Sequence, residues 1–117
     1  MRPTVVIVDD HAAFRTSARA LLEADGFNVI GEATDGLEAL RAVAALNPNI
    51  VLLDIQLPGL DGLAVAEQLA SVPGPPAIVL ISSRDASAFG PRLRQSSAHG
   101  FIPKRVLSGE ALAAVVG

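Results

Sequence analysis

The strongest constraint on this chain is a regular alternation of short apolar runs with longer amphipathic segments. Thr4-Val5-Val6-Ile7-Val8 is β-branched and lacks polar–apolar alternation, which predicts a strand buried on both faces. Residues 12–24 then carry Phe14, Ala18, Leu21 and Leu22 at helical spacing, and Asp25-Gly26 stops the helix. The pattern repeats. Residues 27–31 read as a second strand, 35–46 as a helix ended by Asn47-Pro48, and 50–53 as a third strand. A helix opens at Asp61 or Gly62 and runs through Leu69 into a Pro/Gly-rich loop. Residues 77–81 and 100–102 give strands four and five, and 108–116 a last helix. Five βα units in series predict an α/β fold: a doubly wound, five-stranded parallel sheet with helices on both faces and right-handed crossovers.

Bulk properties remove several function classes. At 117 residues, half of them hydrophobic, one domain with its own core is expected. The absence of cysteine excludes disulfides, thiolate metal sites and cysteine nucleophiles, and fits a cytoplasmic location. No apolar run approaches the roughly 20 residues a membrane span needs, and Met1-Arg2-Pro3-Thr4 does not open like a signal peptide. Net charge is −3 with no basic stripe, and the only aromatics are four Phe. Direct nucleic-acid binding by this chain is therefore not expected.

Chemistry collects just beyond the strand ends. Asp9 and Asp10 follow the first strand and Asp54 the third. Ligands of open parallel sheets bind outside the carboxyl ends of the strands, where strand order reverses. If the first and third strands are neighbours, the three acids converge, repel one another and call for a hard divalent cation such as Mg²⁺. Ser82 closes the fourth strand and Lys104 the fifth. An ammonium and a hydroxyl aimed at the acids would clamp phosphoryl oxygens. Taken singly, each feature has a simpler reading: a helix cap for Asp-Asp, a solvated charge for Lys, a loop-satisfying hydroxyl for Ser. The argument rests on all five occurring in order at the ends of strands one, three, four and five.

Four segments carry a resemblance: Val8-Asp9-Asp10-His11, the run from Leu53-Asp54-Ile55-Gln56 through Pro58 to Asp61-Gly62, Ile81-Ser82-Ser83, and Gly100-Phe101-Ile102-Pro103-Lys104. Over essentially its whole length the chain resembles the receiver domain of two-component response regulators. The resemblance implies a flavodoxin-like receiver fold with strand order 2-1-3-4-5. It implies Asp54 as the nucleophile that accepts a phosphoryl group from a sensor histidine kinase. Mg²⁺, or Mn²⁺ in its place, would be held by Asp10, Asp54 and the Gln56 carbonyl, with Asp9 acting through water. Ser82 would hydrogen-bond the phosphoryl group, Lys104 would ion-pair with it, and Phe101 would be the switch aromatic.

Such a module is not an enzyme beyond catalysing its own phosphotransfer and dephosphorylation. It relays its state through the face of the fourth helix, fifth strand and fifth helix, commonly as a homodimer. Asp-Asp-His and Gly-Glu-Ala-Thr-Asp-Gly at 31–36 look closest to receivers that precede a helix-turn-helix output domain, hence transcription regulation. Residues 1–117 are expected to be the receiver alone, with no output domain.

The sequence departs from the family's habits in places. Ser82 stands where Thr is frequent, with Ser83 as the alternative. Phe101 replaces the frequent Tyr, and Arg105 rather than Pro follows Lys104. Gly90-Pro91 falls where the middle of the fourth helix belongs, so that helix is expected to be short or to restart with Pro91 in its first turn. Arg84, two after Ser82, is expected to cover the phosphoryl group and, with Gln56, to slow its loss. A haloacid-dehalogenase-type phosphatase would want a second Asp where Gln56 stands. A flavin module would want hydroxyls where Asp9-Asp10 stand. The remaining alternative is a phosphorylation-independent, receiver-like interaction module.

Overall fold

In the computed structural model, which describes residues 2–117, the apolar runs form β1 (Thr4–Val8), β2 (Asn28–Ala33), β3 (Ile50–Asp54), β4 (Ala77–Ser82) and β5 (Gly100–Pro103). Between and after them run α1 (Ala12–Ala24), α2 (Gly36–Leu46), α3 (Gly62–Ala70), α4 (Pro91–Arg94) and α5 (Gly109–Val116). All strand pairs are parallel, in the order β2-β1-β3-β4-β5. The expected architecture is therefore the observed one, with β2 and β5 as the edges.

The pleat sorts the core into two layers. Val6, Val8, Val51, Leu53, Ile78 and Leu80 pack with Ala39, Val43, Leu63, Ala66 and Leu69 of α2 and α3. The alternate residues Val5, Ile7, Ile50, Leu52, Val79, Ile81 and Ile102 pack with Ala18 and Leu22 of α1 and Leu112 of α5. Because side chains alternate across a strand, wholly apolar runs are what a sheet covered on both faces demands. Each fully buried Val, Leu or Ile contributes about 1.5–3 kcal/mol of apolar transfer. β1 is the switch point: its chain neighbour β2 lies on one side and β3 on the other, so the connections diverge and open a crevice at the strands' carboxyl ends.

Two elements differ from the sequence reading or sharpen it. β2 ends at Ala33 rather than Gly31, and so takes in a charged residue, Glu32. Two arginines of α1 neutralise it, Arg15 and Arg19, each with Nε 2.9 Å from a Glu32 carboxylate oxygen. Their pairing explains how a strand edge accepts a carboxylate that sequence pattern reads as a stop. The fourth helix is short, as Gly90-Pro91 predicts. After β4 comes a single 3₁₀ turn at Ala86–Ala88; Gly90 then takes φ 59°, ψ −143°, and α4 starts with Pro91 at its first position. None of its four residues is buried.

Candidate functional site

Sheet parity builds the site. Asp9 continues the row of Val5 and Ile7 and Asp54 that of Ile50 and Leu52, while Lys104 does not close β5 but opens the 3₁₀ turn just after it, from which its side chain reaches the same acids. With Val8 opposite Leu53 in the register, Asp9 comes level with Asp54. All three side chains therefore reach the same side of the sheet's carboxyl edge. Asp9, Asp54 and Ser82 are the three buried polar or charged residues among those described, at 0%, 2% and 0% exposure.

Lys104 Nζ bridges the acids, 2.5 Å from Asp9 Oδ2 and 3.2 Å from Asp54 Oδ2. It also lies 4.5 Å from the centre of the Phe14 ring, so α1 supplies a cation–π floor that sequence reasoning missed. The other Asp54 oxygen, Oδ1, accepts a hydrogen bond from the Gln56 backbone N–H at 3.1 Å, while the Gln56 side chain is exposed. Asp9 Oδ1 accepts from the His11 backbone N–H at 2.8 Å. The His11 ring joins the cluster too, with Nδ1 3.1 Å from Asp10 Oδ1 and 3.2 Å from Asp9 Oδ1.

Ser82 is buried at the end of β4, one register position beyond Asp54's partner Ile81, and its Oγ accepts from the Arg84 N–H at 3.0 Å. Ser83 is exposed, which favours Ser82 for any role in the crevice. The Arg84 side chain is exposed and forms no ion pair among the described residues. Phe101 is half-buried on the opposite sheet face, edge-on to Phe89 with ring centres 6.2 Å apart. Arg105 pairs with Asp85 at 2.8 Å across the two loops. Both partners are largely exposed, so the pair adds little.

The electrostatics of the pocket are unbalanced. Three carboxylates face one ammonium, an excess of two negative charges. Asp9 Oδ2 is buried and meets Lys104 without hydrogen-bond geometry. Asp9, Asp10, His11 and Asp54 each offer a ligand atom, all within 4.8 Å of one another. This oxygen-rich set, with Asp10 open to solvent, fits a hard divalent cation that keeps several waters. Burial is the main cause that holds the Asp54 carboxyl above the usual carboxylate range, with Asp9's charge adding to it. The Gln56 N–H and Lys104 oppose them. Burial alone would lower Lys104, but Asp9 and Asp54 hold it above the ordinary lysine value, so it stays charged at neutral pH.

A raised Asp54 means that the folded state holds this proton more readily than the unfolded chain. The associated stability is complete below the usual carboxylate range and is lost as pH rises through the folded value. Asp54→Asn is therefore expected to stabilise the metal-free protein at neutral pH, with the gain fading in acid. Denaturant unfolding at several pH values checks this; a neutral-pH midpoint no higher than wild type counts against it.

Comparison with known proteins points the same way. The response regulator receiver domain model matches residues 5–116. The Mycobacterium tuberculosis probable transcriptional regulatory protein NarL is 40% identical over 113 residues, covering 96% of this chain and 52% of that protein. The positive alginate biosynthesis regulatory protein of Pseudomonas aeruginosa is 42% identical over 106 residues, 89% of this chain and 42% of that one. The chain thus spans about half the length of these curated relatives. The solved signal receiver domain of M. tuberculosis NarL superposes with a TM-score of 0.86 at 36% identity, covering 99% of this chain and 98% of that one. A LuxR-family two-component response regulator from Aurantimonas gives 0.87 at 29% identity, with 99% and 84% covered. Five parallel strands in the order 2-1-3-4-5, an acid crevice with a bridging lysine and these matches place the chain in the response regulator receiver domain family of two-component systems.

Proposed function

We propose that this chain is a single phospho-accepting receiver domain whose Asp54 takes a phosphoryl group from a sensor histidine kinase. The observation that carries the reading is the Lys104 ammonium held between Asp9 and Asp54 in a pocket that still has an excess of negative charge. A lysine so placed can transfer its ion pair to a phosphoryl oxygen without leaving the crevice.

Asp10, Asp54 and the Gln56 carbonyl would hold Mg²⁺ or Mn²⁺, with Asp9 acting through water. Bound there, the ion supplies neutralisation of charge on the transferring group. An Asp54 oxygen attacks phosphorus as the bond from phosphorus to the kinase's histidine nitrogen breaks, leaving an acyl phosphate on Asp54. Lys104 pairs with one phosphoryl oxygen and the Ser82 hydroxyl donates to another. Movement of Ser82 toward the phosphoryl group would let Phe101 change its packing on Phe89 and so carry the change to the face formed by α4, β5 and α5. The names of the relatives support a transcriptional output, with DNA contact made outside this chain. A phosphorylation-independent module has no observation in its favour.

The test is incubation with Mg²⁺ and a small acyl-phosphate donor, read by intact mass. One added phosphoryl group is expected on the wild type and none on Asp54→Ala. An unmodified wild type, or an adduct that survives Asp54→Ala, overturns the reading.

A further inference from the structure

We infer that Arg15 is a positioning residue that holds the Asp9–Asp10 peptide for divalent-cation binding, an inference that rests on the proposed function. Asp9 lies one residue past the end of β1, where the ladder to β3 has stopped at Val8. Its N–H still donates to the Ala33 carbonyl of β2 at 3.0 Å. Its carbonyl, which belongs to the peptide leading into Asp10, instead accepts from an Arg15 terminal nitrogen at 2.7 Å. The plane of that peptide sets where Asp10, the proposed direct ligand, begins. Asp10 is the most exposed acid of the cluster, and its carboxylate pairs only with the His11 ring among the described residues. The Arg15 contact thus restrains its backbone from the helix side, alongside the His11 N–H bond to Asp9 Oδ1.

Arg15 is itself held rigid. Its Nε donates to Glu32 Oε1 at 2.9 Å, and its side chain is only 17% exposed. Arg19 takes the other Glu32 oxygen at 2.9 Å and also donates to the Val29 carbonyl at 2.9 Å. One carboxylate on β2 therefore fixes two arginines of α1, and one of these fixes the Asp9 carbonyl. Partners one layer behind metal ligands commonly matter about 10–100-fold in affinity because they remove freedom the ion would otherwise have to remove.

Charge and positioning predict opposite signs here, which makes the inference sharp. Deleting a cation beside a Mg²⁺ site should tighten binding if only charge mattered. If Arg15 positions Asp10, deleting it weakens binding.

The experiment titrates Mg²⁺ by calorimetry into wild type, Arg15→Met and Arg15→Lys, with unfolding midpoints measured in the absence of Mg²⁺. Arg15→Met is expected to bind Mg²⁺ about tenfold more weakly, with Arg15→Lys between the two. Phosphorylation by the acyl-phosphate donor should need correspondingly more Mg²⁺ for half-saturation but reach a near wild-type rate once saturated. An Arg15→Met protein that is destabilised yet binds Mg²⁺ with wild-type or higher affinity reduces Arg15 to a structural residue and overturns the inference. If Arg15→Met does not fold, Arg15→Lys decides: its ammonium cannot hold Glu32 and the Asp9 carbonyl together, so wild-type affinity there overturns it as well. A wild type that binds no Mg²⁺ removes the proposed function along with this inference, whereas an intact wild-type response with unaffected variants removes the inference alone.

Discussion

Gly62→Ala is expected to destabilise the protein by about 3 kcal/mol, a fall in unfolding temperature of roughly 10 °C or more. On helix propensity alone the same change would be favourable by about 1 kcal/mol, because Gly62 is the first residue of α3 and alanine is the better helix former. Tertiary packing reverses the sign. A Cβ at Gly62 would lie 2.6 Å from Ile55 Cα and overlap the Asp54 carbonyl. These are backbone atoms, so no rotamer change can relieve the clash. The close approach exists because the Gly62 N–H donates to the Ile55 carbonyl at 2.7 Å, cinching the loop that follows Asp54. Any relief must shift either α3 or the end of β3, and the latter carries the proposed nucleophile. The variant should therefore also phosphorylate more slowly, since small misplacements of a reacting group are costly. An unfolding midpoint at or above wild type would refute this account of the α3 start.

Lys104→Ala should remove about 3 kcal/mol of stability at neutral pH without Mg²⁺, because it leaves two buried carboxylates facing each other. The pH dependence follows from the direction of the shifts. Lys104 opposes the upward shift of Asp54, so without the ammonium Asp54 more strongly favours the protonated form in the folded state. The variant's deficit should therefore shrink as pH falls and Asp54 takes up its proton. Added Mg²⁺ should recover part of the deficit by binding only the folded form and replacing the lost positive charge. Lys104 also places its charge over the Phe14 ring, so some loss is independent of the acids. A deficit that responds neither to acid nor to Mg²⁺ would assign the whole effect to that packing and remove Lys104 from the charge balance. Denaturant titrations of both proteins across pH, with and without Mg²⁺, separate the two outcomes.

Much of the molecule is legible in its sequence. The apolar runs locate five strands, and period-two parity puts Asp9 and Asp54 in line with Ile7 and Leu52. Gly90-Pro91 marked the broken fourth helix, because proline cannot donate within a helix but suits its first turn. The choice of Ser82 over Ser83 agrees with burial of the first and exposure of the second. β2 ends two residues beyond where the sequence pattern stops it, because Glu32 reads as a surface charge unless Arg15 and Arg19 lie beside it.

That miss shows where sequence stops and tertiary structure begins. Strand and helix positions depend on each residue's near neighbours and on the spacing of apolar side chains, so the βα alternation, the two-sided core and the acids at strand ends are readable locally. The bridging position of Lys104, its seat on Phe14, the chain from Glu32 through Arg15 to the Asp9 carbonyl, and the backbone contact that demands glycine at 62 join residues far apart in the chain. Only the folded arrangement decides these, because each depends on strand order and on which face a crossover helix covers. Neither quantity is encoded in any local window.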